Sequence, residues 1–278
     1  MPGQFLYSVD ALAPVVDQLA ARQVNTVLLF GQAVSKDACG HSAYAHDNTV
    51  LKAIAMLKKL NPALTVITDV CLCSYTDHGH CGPLKSVHGQ RLMDNAKTLE
   101  IISTMALRHA EAGADIVAPS GMVDGMVGAI RATMDEHDLD HVAILSYAAK
   151  YASGFYGPFR EASDCSPKQG DRRGYQMNPA NRKEAVLEAA LDVEEGADIL
   201  MVKPALPYLD IISDLAGHFD VPVFAYQVSG EYSMIKAAAQ NGWIDEQSVV
   251  RESLLAMKRA GAQAIISYFA LSIDLDSL

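Results

Sequence analysis

Residues 69–82 read DVCLCSYTDHGHCG and gather three of the chain's five cysteines and two of its nine histidines. Asp69, Cys71 and Cys73 share parity, so an extended backbone would point them the same way. A disulfide between Cys71 and Cys73 would be strained, and a reducing compartment would oppose it. Three thiolates with no obvious fourth protein ligand suit zinc, and an open fourth position is the arrangement of a catalytic site. His80 is the candidate that would instead close the set into a structural Cys3His knot. Spacing alone leaves these two roles balanced. Cys39 and Cys165 stand apart and read as free thiols of no special role.

Two lysines occupy comparable places. Lys150 follows the apolar run VAILSY by three residues, and Lys203 ends ADILMVK just before Pro204. Read singly, each is an ordinary surface lysine. Emerging on one face, each cation would depress the other's pKa, and such a lysine attacks ketones to form a Schiff base. The pair therefore suggests covalent handling of carbonyl substrates. Arg160, Arg172 and Arg173 fall in the segment 151–179. Facing a lysine-lined pocket they would clamp carboxylates; facing water they would be solvated. Ser229 and Tyr268 sit at or just past PVFAYQVSG and AIISYF, where a hydroxyl can line a site or serve as a cap.

A repeated local pattern must position these groups. EAGADIVAPS (111–120), EEGADILMVKP (194–204) and RAGAQAIISYF (259–269) each run from a helical stretch through glycine into an apolar strand. Further strands are expected at 26–30, 64–70, 142–147 and 222–226, apolar on both faces as buried parallel strands are. Helical spacing marks 8–22 behind Ser8, and 181–195 behind the capping-box-like pair Asn181 and Glu184. Alternating strands and helices over 278 residues predict a single α/β domain, a TIM (β/α)8-type barrel. Only seven strands are found, with none ahead of the 8–22 helix. Residues 151–179 show neither periodicity and are expected to form a lid over the site.

Composition narrows the function. The formal charge is −11 with no basic block, which argues against nucleic acid as a partner. No apolar run approaches the ~20 residues that span a bilayer, and MPGQFLYSVD lacks the features of a signal peptide. The expected setting is the cytoplasm, and the expected ligand is a small molecule.

Together DVCLCSYTDHGHCG, SYAAKYASGFYGPFREA, GDRRGYQ, MVKPALPYLDII and YQVSGEYSMI resemble the zinc-dependent branch of the porphobilinogen synthase (5-aminolevulinate dehydratase) family. The similarity runs from MPG to the SYF near the end. It implies a TIM barrel that condenses two molecules of 5-aminolevulinate to porphobilinogen in tetrapyrrole, hence heme, biosynthesis. By this resemblance Lys203 and Lys150 are the Schiff-base lysines, and Cys71, Cys73 and Cys81 hold a catalytic zinc. Arg160 and Arg172 would bind one substrate carboxylate, Ser229 and Tyr268 the other. Glu188 matches a position that holds an allosteric magnesium in some bacterial members; its other reading is a solvated helix face shared with Glu184. Asp69 would transfer a proton or orient a zinc-bound water.

The chain also departs from the family's pattern. APSGMVDGMVGAI (118–130) has Gly121 for an aspartate and Met126 for an arginine, a lost charged pair expected to loosen the pocket floor. Gly174 stands where some members have a cysteine of a second zinc site. Family members place an arm and the first barrel strand ahead of MPG, which accounts for seven strands here. A homo-oligomer is expected, though not the arm-embraced octamer. Two other readings share these residues: a non-catalytic or regulatory zinc-binding member, and a Schiff-base lyase acting on a related amino-ketone.

Overall fold

The repeated glycines act as the sequence predicts. Gly113, Gly196 and Gly261 take φ of 103°, 102° and 118°, a left-handed conformation that ends each helix and releases the chain into a strand. The computed structural model describes residues 1–273. Its strands are β1 (Thr26–Leu29), β2 (Thr65–Val70), β3 (Leu84–Val87), β4 (Gln90–Met93), β5 (Ile116–Pro119), β6 (Ala143–Lys150), β7 (Ile199–Lys203), β8 (Val223–Gln227) and β9 (Ala264–Ser267). All seven expected strands are present, and β3 and β4 form a separate antiparallel hairpin.

The seven strands pair in parallel in the order β1-β2-β5-β6-β7-β8-β9, each beside its successor in the chain. Helices at Thr49–Leu60, Asn95–Glu111, Met126–Asp135, Lys183–Glu194, Leu209–His218 and Glu246–Arg259 make the crossovers, Ala13–Ala21 precedes β1, and Ser229–Gln240 follows β8 directly. Ile67, Ala118, Leu145, Tyr147, Met201 and Tyr226 fill the interior, while alternate residues such as Val117, Ile144, Leu200 and Val202 pack outward against helices. Both faces are covered, which is why the strands read as continuous apolar runs.

Among the described residues no ladder joins β9 to β1, so the barrel is open at that seam. Burial follows the seam. Every residue of β6 after Ala143 is buried, whereas β1 and β9 are intermediate or exposed throughout. Local contacts cover part of it. Gln4 donates from Nε2 to the Tyr268 carbonyl at 3.2 Å, and Leu271 packs on the cluster of Leu12, Val16 and Leu19.

Two expectations about elements change. The segment 151–179 is not irregular throughout: a 3-10 turn at Gly154–Tyr156 runs into a helix at Gly157–Ala162, with Pro158 in its first turn, where proline suits a helix. The expected 8–22 helix is split into a 3-10 turn at Val9–Ala11 and a helix from Ala13, and Ser8 makes no side-chain cap. The Asn181–Glu184 pair does form, Asn181 Nδ2 donating to Glu184 Oε2 at 3.1 Å. No helix among the described residues is long and apolar enough to cross a membrane.

Candidate active site

The C-terminal ends of the strands converge on one cavity. Phe30 beyond β1, Asp69 of β2, Ser120 beyond β5, Lys150 of β6, Lys203 of β7, Ser229 beyond β8 and Tyr268 beyond β9 all line it. Tyr156, Phe159, Arg160 and Arg172 close it from the 151–179 segment. The structure thus brings together Lys150, Lys203, Arg160, Arg172, Ser229 and Tyr268.

Lys150 and Lys203 are register partners on adjacent strands. A bulge makes them face the same way. Between Ser146↔Leu200 and Ala149↔Val202, β6 spends one residue more than β7. Ser146 points outward, its Oγ donating to Asp192 Oδ2 on the helix Lys183–Glu194 at 2.6 Å. Strict alternation would send Lys150 outward with Ser146; the extra residue reverses the parity and turns Lys150 into the barrel. Its ammonium donates to the Ser120 carbonyl.

Lys203 sits in an aromatic box. Its Nζ lies 4.0 Å from the Tyr226 ring centroid, with Tyr147, Tyr156, Phe159 and Phe30 between 5.1 and 6.0 Å. Aromatic faces attract a cation, but they do not replace its hydration. Burial, and next the charge of Lys150, push the Lys203 ammonium down from 10.5 to about 7. Burial pushes the Asp69 carboxyl up to about 6, with the two lysines pulling against it. A neutral amine and a carboxyl able to exchange a proton therefore coexist near neutral pH. The aromatics were absent from the sequence-based site. Their signal was present: Tyr147 and Tyr226 stand on the inward parity of their strands.

The cysteines do not project from an extended strand as their parity suggested. β2 ends at Val70, and the chain turns at once, Tyr75 and Thr76 N–H both returning to the Leu72 carbonyl. The turn still places Cys71, Cys73 and Cys81 with their sulfurs within 4.8 Å of one another, all buried. That is a donor set able to hold one metal ion, and three soft thiolates suit zinc. His80 is not available to complete it. Its Nε2 lies 3.0 Å from the Gln169 carbonyl and must donate, leaving Nδ1 to accept from the Tyr175 hydroxyl at 3.1 Å. Of the sulfurs, Cys73 alone lines the cavity.

Cys165, expected to be isolated, packs against this cluster and is fully buried. Hydrogen bonds from Cys165, Cys71 and Cys81 hold the Cys73 thiol well below its ordinary range. Arg172 supplies the counter-charge. It is buried, and its Nη2 donates to the Gly79 carbonyl at 2.8 Å and to the Cys165 carbonyl. Burial opposes its charge, yet the neighbouring Cys73 and Cys81 sulfurs raise its pKa.

Arg160 and Arg172 each retain a buried Nε–H without a partner, and neither pairs with a carboxylate among the described residues. Four basic side chains and a single carboxylic acid thus line a cavity in a chain whose net charge is −11. Arg173 is exposed and lies outside it. Ser229 Oγ accepts from Phe159 N–H at 3.0 Å, joining the β8 end to the 151–179 segment. Tyr268 and Tyr226 hydroxyls lie 3.4 Å apart.

Glu188 is not part of this cavity. It is half-buried on the helix Lys183–Glu194, and burial followed by Asp124, Glu195 and Glu184 raises its pKa. The lost charged pair does not leave the floor loose. Met126 is 1% exposed in the main core, and a Cβ on Gly121 would already meet Val123 Cγ2 at 3.2 Å. Apolar packing fills the space.

Known proteins are similar to this chain in sequence and in fold. The sequence model of the family Delta-aminolevulinic acid dehydratase matches residues 1–274. A delta-aminolevulinic acid dehydratase of Halalkalibacterium halodurans is 52% identical over 273 residues, covering 98% of this chain and 82% of the relative. That of Staphylococcus aureus is 49% identical over 274 residues, covering 98% and 84%. The crystal structure of delta-aminolevulinic acid dehydratase (porphobilinogen synthase) from Toxoplasma gondii, solved with its reaction product porphobilinogen, superposes with a TM-score of 0.95 at 40% identity. It covers 99% of this chain and 78% of that one. The carboxyl transferase domain of Rhizobium etli pyruvate carboxylase, at 13% identity and a TM-score of 0.53, shares the fold alone.

Proposed function

The chain belongs to the delta-aminolevulinic acid dehydratase family, and from that premise we propose that it condenses two molecules of 5-aminolevulinate to porphobilinogen and two waters. One observation carries the chemistry. Two lysines, register partners at adjacent strand ends, share a cavity with two arginines that have no carboxylate partner. Such a cavity suits a ketone that carries a carboxylate.

The neutral amine of Lys203 adds to the ketone carbon of one substrate, and loss of water leaves the imine. Lys150 captures the second substrate in the same way, so that two reactants are held side by side and the joining step becomes effectively unimolecular. Arg160 and Arg172 bind one carboxylate bidentately, while the Ser229 and Tyr268 hydroxyls bind the other. Asp69, with its carboxyl near pKa 6, takes and returns the proton that moves as carbon joins carbon. The aromatic box keeps water from the imine. Cys71, Cys73 and Cys81 would hold a zinc ion, which supplies Lewis acidity toward a substrate oxygen or amine. A magnesium at Glu188 would offset the mutual repulsion of Glu188, Asp124 and Glu195. The reading places the enzyme in heme biosynthesis, in the cytoplasm, as a homo-oligomer; exposed Phe5, Leu6 and Tyr7 favour association.

Borohydride added to metal-replete protein with 5-aminolevulinate should attach reduced substrate to Lys203, read by peptide mass. Absence of any lysine adduct would overturn the proposal.

A further inference from the structure

The helix Ser229–Gln240 carries a glutamate that the chemistry above does not use. Glu231 is 1% exposed. Its Oε2 accepts from Val228 N–H at 2.6 Å, an ordinary way to satisfy a helix N-terminus. Its Oε1 accepts from Leu206 N–H at 2.7 Å, and capping has no use for that bond. Leu206 belongs to another loop, three residues beyond Lys203, and the Ala205 N–H also faces the same carboxylate.

The place of this bond matters. The ladder between β7 and β8 stops at Val202↔Ala225. Beyond it lie Lys203 on one strand end and Val228–Ser229 on the other, with no paired backbone between them, and Pro204 has no N–H to give. The Lys203 carbonyl is fixed from the β6 side, by Tyr151 N–H and the Tyr156 hydroxyl, each at 3.0 Å. From the β8 side the tie that extends past the ladder is Glu231. A buried carboxylate is costly unless several donors meet it, so its presence here marks a constraint the apolar surroundings do not supply.

We infer that Glu231 is a positioning residue: one carboxylate holds the loop after Lys203 and the strand-to-helix junction at Val228–Ser229 at a fixed spacing, so that a substrate imine on Lys203 presents its carboxylate to Ser229. The inference rests on the roles proposed for Lys203 and Ser229. A glutamine at 231 has one acceptor oxygen, and its amide N–H would face a backbone N–H, so one of the two loops is released.

The test is a double-mutant cycle on the full-length, metal-replete protein with E231Q, S229A and the double variant. KM and kcat are measured for 5-aminolevulinate, together with borohydride trapping of 5-aminolevulinate and of aminoacetone, a ketone without the carboxylate. Ser229→Ala should raise KM about tenfold in the wild type and less than about twofold in E231Q. Trapping of aminoacetone on Lys203 should stay within about twofold in E231Q while that of 5-aminolevulinate falls about tenfold. Equal cost of Ser229→Ala in both backgrounds, or equal loss with both ketones, would overturn the inference and leave Glu231 a helix cap. Where E231Q fails to fold, E231D, which keeps the charge but shortens the reach, takes its place in the same cycle. A wild type that traps no 5-aminolevulinate would instead refute the reaction, and this inference with it.

Discussion

The arc β6-β7-β8 and the seam between β9 and β1 are built from the same kind of apolar strand, yet they differ in every property that fixes a side chain. The arc is laddered on both sides and buried; the seam strands have a partner on one side only and remain half-exposed. Lys150 and Lys203 stand on the arc, whereas Phe30 and Tyr268 stand beside the seam. The proposed reaction needs its bond-forming amines placed within a fraction of an ångström, and an arc laddered on both sides suits that demand. Groups that close around a carboxylate or shield an imine tolerate more play. The division also means that the seam can be perturbed without moving the two amines.

Four experiments can break or sharpen this contrast. Lys203→Met should abolish 5-aminolevulinate turnover by more than ~10³-fold while leaving thermal stability intact or higher, because it removes a desolvated amine and fills the same space. Loss of both activity and fold would place the arc's stability, not its chemistry, at Lys203. Cys73→Ser should lower metal content, read by elemental analysis, and reduce turnover about 10²-fold with the barrel intact by circular dichroism. Unfolding on metal loss would make the cluster a structural knot.

The strands themselves should respond unequally. Leu200→Ala in β7 should cost ~2–5 kcal/mol in urea unfolding, and Val27→Ala in β1 about 1 kcal/mol or less, since the β1 site is already open to water. Equal costs would mean that the seam is as tightly held as the arc. The smallest effect is on pH. Trapping on Lys203 should rise about tenfold per pH unit and level off above about 7, the pKa set by burial and Lys150. Between about 7 and 10.5 the unfolded chain binds the extra proton, so wild-type stability should rise with pH relative to Lys203→Met over that window. A plateau only near 10 would show the amine to be solvated.

Much of this was legible in the sequence because it depends on neighbours in the chain. Glycine stops and double-sided apolar runs marked all seven strands, and strand-end placement marked Lys203 and the Cys71–Cys81 turn. What failed to show depends on contacts between distant residues. Lys150 was marked by its place past VAILSY, but the bulge that turns it into the interior is defined against β7, which β6 alone does not reveal. Cys165 looks solitary until the 151–179 segment packs it beside Cys73. The hairpin of β3 and β4 did leave a local trace: His88 and Gly89 both take positive φ, the pair a tight turn demands, between runs of four residues. The short helix at Gly157–Ala162 is below the length at which periodicity can be read.

The aromatic box has an optical consequence. Tyr226 lies 4.0 Å beneath the Lys203 nitrogen, and Tyr147 and Tyr156 flank it. A phenol ring's near-ultraviolet transition responds to the field across its face, and at Tyr226 the cation nearest that face is the Lys203 nitrogen. Converting ammonium to amine, or amine to imine, therefore changes the absorbance of buried tyrosines. Trp243, the chain's sole tryptophan, is 77% exposed and contributes a steady background. The rings that surround the Lys203 amine would also make its state visible as a difference spectrum, without any label.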